Sequence, residues 1–66
     1  MIVYTKPGCP YCAALKRKLM ERGVAFEEID VFVVPGAAET VEELTGARIV
    51  PVVVDGDVVQ AAPEGG

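Results

Sequence analysis

At 66 residues, 52% of them apolar, the chain has room for one domain with a thin core, since a domain this small buries only ~60% of the surface its unfolded chain exposes. A formal net charge of −4 with no histidine argues against general nucleic-acid binding, and no apolar run approaches the ~18 to 20 residues that span a bilayer. Met1 leads straight into Ile-Val-Tyr-Thr without a signal-peptide layout, so a soluble, cytoplasmic protein is expected.

Residues 2–5 are β-branched and aromatic and read as a strand. Lys6-Pro7-Gly8 breaks it. Pro10 suits the first position of a helix, where a missing N–H costs nothing, and that helix is expected to run to about Arg22, stopped by Gly23. Cys12, Leu15 and Leu19 then share one face, with Lys16, Arg17 and Lys18 mainly on the other. Residues 24–30 read as a second strand. A second helix is expected from near Pro35 to Gly46, with Val41 and Leu44 facing inward. Two runs of valine, 52–54 and 58–59, flank Asp55-Gly56-Asp57. They predict a hairpin in which Asp55-Gly56 supplies the positive φ angles of a type I′ turn. The tail from Ala61 to Gly66 has no helix-length pattern. The order is βαβαββ, an α/β domain spanning residues 1–66 with a mixed four-stranded sheet.

Charge is uneven along this order. The N-terminal third holds Lys6, Lys16, Arg17, Lys18 and Arg22 against Glu21 alone, and the remainder is acidic apart from Arg48. Both cysteines, Cys9 and Cys12, lie in the cationic part. They are too close in sequence to staple the fold, because closing so short a loop removes little entropy from the unfolded chain. In a reducing compartment a Cys-x-x-Cys pair is more often catalytic or metal-binding than a permanent disulfide. Zinc takes four ligands. Two thiols without a histidine hold a metal only by bridging two chains or by borrowing an external thiol, so no bound metal or cofactor is expected.

The pair falls where a strand hands over to a helix. Cys9 at the N-cap faces backbone N–H groups that have no partner within the helix. These groups, the helix dipole and nearby Lys6 favour thiolate over thiol, and thiolate is the species that attacks disulfides. Cys12, one turn further in, faces the core beside Leu15. It is expected to be the less exposed and less acidic of the two and placed to resolve a mixed disulfide on Cys9.

Tyr4-Thr5-Lys6-Pro7-Gly8-Cys9-Pro10-Tyr11-Cys12 resembles the active-site segment of dithiol glutaredoxins and of the related small redoxins that reduce ribonucleotide reductase. Ile49-Val50-Pro51-Val52-Val53-Val54 resembles that family's Thr-Val-Pro segment before the third strand. The resemblance covers nearly the whole chain. It implies a thioredoxin-like fold with the strands in the order second, first, third, fourth, and disulfide exchange in which Cys9 attacks and Cys12 resolves. It implies a cis peptide bond before Pro51 and a turn there that faces the cysteines, where the backbone of Val50 pairs with substrate like a strand. It also implies a glutathione carboxylate bound by Lys6. Tyr11 reads either as an exposed aromatic or as a substrate contact. Lys16 to Lys18 read as a solvated helix face that also steers acidic partners, and Glu42-Glu43 as solvated surface.

The chain departs from the family in three places. Where glutaredoxins carry Gly-Gly-x-Asp to hold glutathione, this chain has Ala61-Ala62-Pro63-Glu64, with Glu64 in the place of the acid. The chain stops where a final helix is expected to begin, so that helix is read as absent here, either because the protein is naturally short or because the chain is a truncated one. Residues 31–34 are apolar where the family is polar. They are either a locally buried loop or an exposed patch that makes a homodimer. The function expected is reduction of protein or glutathione mixed disulfides, recharged by glutathione or a flavin disulfide reductase. Two alternatives stand beside it: an electron donor to one partner enzyme fed by thioredoxin reductase, and a dimer that bridges an iron–sulfur cluster through Cys9 and glutathione. Pro10 disfavours the last by resemblance.

Overall fold

The structure, a computed structural model, describes residues 1–62. Strand β1 (Ile2–Thr5) is followed by helix α1 (Pro10–Glu21), strand β2 (Glu27–Asp30), helix α2 (Ala37–Thr45) and the hairpin β3 (Val52–Asp55) and β4 (Val58–Ala61). The strands lie in the order β2-β1-β3-β4, with β1 parallel to β2 and antiparallel to β3. These are the elements, the mixed sheet and the strand order that the sequence and its resemblance implied. No helix among the described residues is long and apolar enough to cross a membrane.

Strand alternation divides the interior in two. Val3 pairs with Val53 in the sheet, and both point to the face on which Leu15 and Leu19 of α1 pack, with half-buried Val24 and Phe26 at the edge. Tyr4 pairs with Val52, and both point to the opposite face, where Ala37 and Val41 of α2 close over them. Cys9 and Cys12 join this second cluster, together with Val50, at the end of the sheet where α1 begins. The two cysteines are therefore seated on core rather than on a loose loop.

Three expectations are corrected. β2 begins at Glu27 rather than at residue 24, because Val24 and Phe26 turn inward to cover the α1 face before the chain reaches the register of β1. The hairpin turn lies one residue later than expected. Asp55 pairs with Val58, which leaves Gly56 and Asp57 as the central residues. Gly56 has φ +60 and Asp57 is not in the positive-φ region, the pattern of a type II′ turn with glycine first rather than of type I′.

Leu44 is 41% exposed rather than inward, because α2 buries a narrow stripe through Ala37 and Val41. Leu44 falls to one side of that stripe, where no element among the described residues covers it. Of the apolar run 31–34, Val31 packs against the core cluster, while Phe32 and Val33 are largely exposed. Glu64 and the point where a final helix was expected lie outside the described residues.

Candidate functional site

Gly8, with φ +72, takes the chain out of β1 and through a turn that most residues disfavour. Cys9 follows as the N-cap of α1 in extended conformation, with Pro10 in the first turn. Its carbonyl accepts from the Ala13 N–H at 3.2 Å, and its Sγ accepts from the Cys12 N–H at 3.3 Å. A sulfur thus fills the capping position that a serine or aspartate oxygen usually takes. Both thiols are free.

The two sulfurs have opposite acidity. Burial works against the Cys9 thiolate, but it is outweighed. The Cys12 thiol, the N–H groups of Cys12 and Tyr11, and the Lys6 charge all favour the anion, in that order, and bring Cys9 below its usual 9.0. Cys12 is pushed up to about 11, first by burial, then by its hydrogen bond to Cys9 and by the charge there. The Lys6 backbone and the Lys16 ammonium pull the other way. The expectation that Cys9 sits exposed at the helix end is corrected, since it is only 8% exposed, against 2% for Cys12. Val50 and Tyr4 share its cluster and cover it. Cys9 nonetheless lines a shallow groove with Lys6, Pro7, Gly8, Pro10, Cys12, Ala13 and Lys16.

The Val50–Pro51 bond is cis, as the resemblance implied, and both residues are buried beside the cysteines. Lys6 lines the cysteine groove and also a second hollow formed with Val31, Phe32, Ala38, Val41, Arg48, Ile49 and Val50. Cys9, Cys12, Lys6, Val50 and Pro51 are therefore brought together. Tyr11 is 47% exposed at the start of α1. Glu64, the remaining predicted site residue, lies outside the described residues. Among the described residues, no group of three or more His, Cys, Asp or Glu side chains is placed to hold a metal ion.

Sequence reasoning missed Lys16. Rather than standing free on a solvated face, its Nζ meets Glu28 Oε2 at 2.9 Å, and the same oxygen accepts from the Thr5 hydroxyl at 2.7 Å. These two bonds, opposed by some burial, hold the Glu28 carboxyl below its usual range. The available signal was spacing: Lys16 lies one helical turn beyond Cys12, on the same side.

The acidities carry a prediction for the reduced protein. Alkylation of Cys9 by iodoacetamide should titrate below pH 9.0, while Cys12 stays unreactive until the pH nears 11. The native state holds the Cys12 proton up to about 11, whereas the unfolded chain releases it near ~8.5. Stability from this group therefore falls as pH rises between those values. Cys9 acts oppositely: its contribution is present above the unfolded value and is lost as pH falls through its lowered native value. Urea titrations of the reduced and Cys12→Ser proteins through this range separate the two effects.

An N-cap thiol of lowered pKa and a buried thiol one turn on, at the head of the first helix in a thioredoxin-like fold, fit a thiol–disulfide oxidoreductase. The Glutaredoxin family model matches residues 1–59, and the chain belongs to that family. Over 55 residues it is 44% identical to the glutaredoxin-like protein NrdH of Salmonella typhimurium, covering 83% of this chain and 67% of that protein. Over 56 residues it is 43% identical to a glutaredoxin of Neisseria meningitidis, covering 83% and 66%. Among solved structures it resembles the NrdH-redoxin of Escherichia coli, a glutaredoxin-like protein with a thioredoxin-like activity profile. That match has a TM-score of 0.81 and 42% identity and covers 91% of this chain and 78% of the other.

Proposed function

We propose that this oxidoreductase reduces protein disulfides by dithiol exchange through Cys9 and Cys12. In this reading it draws its electrons from a flavin disulfide reductase of the thioredoxin reductase kind rather than from glutathione, and it works in the cytoplasm, where such a pair is kept reduced. The observation that carries the dithiol part is the split in acidity between an N-cap thiolate and a buried thiol hydrogen-bonded to it.

The Cys9 thiolate attacks one sulfur of the partner disulfide. A Cys9–sulfur bond forms, the partner's S–S bond breaks, and the departing sulfur leaves with the bonding pair and takes up a proton. Cys12 then attacks Cys9 Sγ and frees the partner's second sulfur. Val50 and Pro51 form the wall beside Cys9 on which an extended substrate segment lies, and Lys6 and Tyr11 flank its path.

The choice of reductase rests on the far side of that wall. Where glutathione-using relatives are expected to carry two glycines, this chain has Ala61 and Ala62. Ala62 N–H donates to the Pro51 carbonyl at 2.7 Å, and Ala62 sits at φ +48, a left-handed conformation that a Cβ disfavours. The backbone that bonds Pro51 therefore carries a β-carbon, where the glycines of glutathione-using relatives would leave it bare. The likeness to NrdH-redoxin, with its thioredoxin-like activity profile, points the same way. Ribonucleotide reductase, the acceptor implied by resemblance to the small redoxins, is the partner we would try first.

The test is NADPH-linked turnover of a disulfide substrate with thioredoxin reductase in one cuvette, and with glutathione plus glutathione reductase in the other. Turnover at least about tenfold faster with thioredoxin reductase is expected. The reverse preference would assign recharging to glutathione and place Glu64 and the alanines in a working glutathione site.

A further inference from the structure

Lys16 occupies an unusual place for a basic helix residue. Exposed ion pairs add little to stability because water screens them and their long side chains lose entropy. This pair is better anchored. Glu28 Oε2 is held from below by the hydroxyl of Thr5, which is only 2% exposed, and that oxygen grips the Lys16 ammonium. Thr5 and Glu28 come from neighbouring strands, so two strands and a helix fix the cation at the edge of the groove that holds Cys9 and Cys12.

Among the described residues, the other groups around Cys12 do not supply a lasting positive charge. Tyr4, Ala37, Val41, Val50 and Val52 from the sheet and α2 are uncharged neighbours in its cluster, and Lys6 reaches it through its backbone. Cys9 holds Cys12 in its protonated form, both by hydrogen bond and by charge. That hold disappears once Cys9 is capped by a partner's sulfur, because a disulfide sulfur carries no negative charge. From that moment the charged side chain acting on Cys12 is Lys16, opposed by burial.

We propose that Lys16, fixed by Glu28 and Thr5, is the positioning residue of the second half-reaction and promotes the Cys12 thiolate once the mixed disulfide has formed on Cys9. The inference rests on the dithiol reading given above. In the step concerned, Cys12 gives up its proton and its sulfur attacks Cys9 Sγ. The bond from Cys9 to the partner's sulfur breaks as the Cys9–Cys12 bond forms. The partner's sulfur leaves with the bonding pair and gains a proton. The partner is thus reduced by two electrons in all, and the cysteine pair is oxidised by two.

Ellman's reagent followed by stopped flow resolves both halves, since one coloured thiolate is released when Cys9 attacks and a second when Cys12 resolves. Lys16→Met is expected to raise the apparent pKa of the second phase. Each unit of rise lowers the thiolate population tenfold. The greater nucleophilicity of a more basic thiolate returns about threefold of this, which leaves the second phase about threefold slower per unit near neutral pH. Lys16→Arg should restore the rate. Glu28→Gln keeps an amide oxygen that can accept from Lys16 and Thr5 and removes only the anion, so it should not raise that pKa.

An unchanged second phase in Lys16→Met, or equal slowing by Glu28→Gln, would overturn the proposal and leave the network a purely structural one. The first phase tests the underlying reading separately. If it persisted in Cys9→Ser, the assignment of the attacking thiol would fail, whatever Lys16 does.

Discussion

Cys9→Ser is expected to reduce turnover of any disulfide substrate to the uncatalysed rate, while Cys12→Ser keeps the first half-reaction and loses the second. The reason is local. Cys9 is the sulfur that takes the capping position of α1 and accepts the Cys12 N–H, and its acidity lies below the usual thiol value. A serine hydroxyl in its place caps the helix equally well, so the fold should persist while the nucleophile is gone. In Cys12→Ser the attacking thiolate remains, and the serine hydroxyl can donate to it in place of the Cys12 thiol. Its pKa should therefore stay below that of a free thiol.

With a protein disulfide this second variant should stop at a covalent adduct on Cys9, visible as one added partner mass under non-reducing conditions and released by a reductant. With a small mixed disulfide and excess free thiol it should still turn over, because an external thiol does the resolving. Equal loss in both variants with the small substrate would contradict the division of labour. So would an adduct that forms in Cys9→Ser and is absent from Cys12→Ser.

Much of this site is legible in the amino-acid sequence. The N-cap position of Cys9 follows from a strand breaker, a proline suited to the first helical turn and a Cys-x-x-Cys spacing. The inward turn of Cys12 follows from its periodicity with Leu15 and Leu19, all of which are buried. These are local rules with one outcome. The cis bond at Pro51 comes from resemblance alone, since the residues around a proline say little about its isomer.

The features that escape the sequence are set by neighbours rather than by local pattern. Leu44 is apolar and correctly spaced from Val41, but no element among the described residues reaches its side of α2. Asp55-Gly56 is a strong turn signal in isolation. The pairing of Asp55 with Val58, which keeps Val52 and Val54 on the α2 face, moves the turn one residue along. The Thr5–Glu28–Lys16 network joins residues from three elements. Spacing places Lys16 on the Cys12 side, but the anchoring is invisible in the sequence because a charge run on a helix looks alike whether or not a carboxylate waits on the next strand.

Leu15→Ala is expected to cost about 2 to 5 kcal/mol, the usual range for emptying a leucine site in a packed core. A domain of this length has roughly 3 to 10 kcal/mol of stability in total, so the substitution should remove much of it and leave a large unfolded fraction at room temperature. Leu15 is 5% exposed and fills the space between α1 and the strand pair carrying Val3 and Val53. Met20, on the same helix and 64% exposed, supplies the contrast: Met20→Ala should change stability by no more than about 0.5 kcal/mol.

Urea unfolding followed by circular dichroism measures both variants. Equal midpoints for the two would mean that α1 is not held to the sheet through Leu15. The consequence reaches the active site, because α1 carries Cys9 and Cys12 at its head. In Leu15→Ala, alkylation of Cys12, shielded in the native protein, should accelerate in proportion to the unfolded population. In Met20→Ala it should stay at the native rate. A rise in Cys12 reactivity larger than the unfolded fraction allows would show that the head of α1 comes away from the sheet before the rest of the domain unfolds.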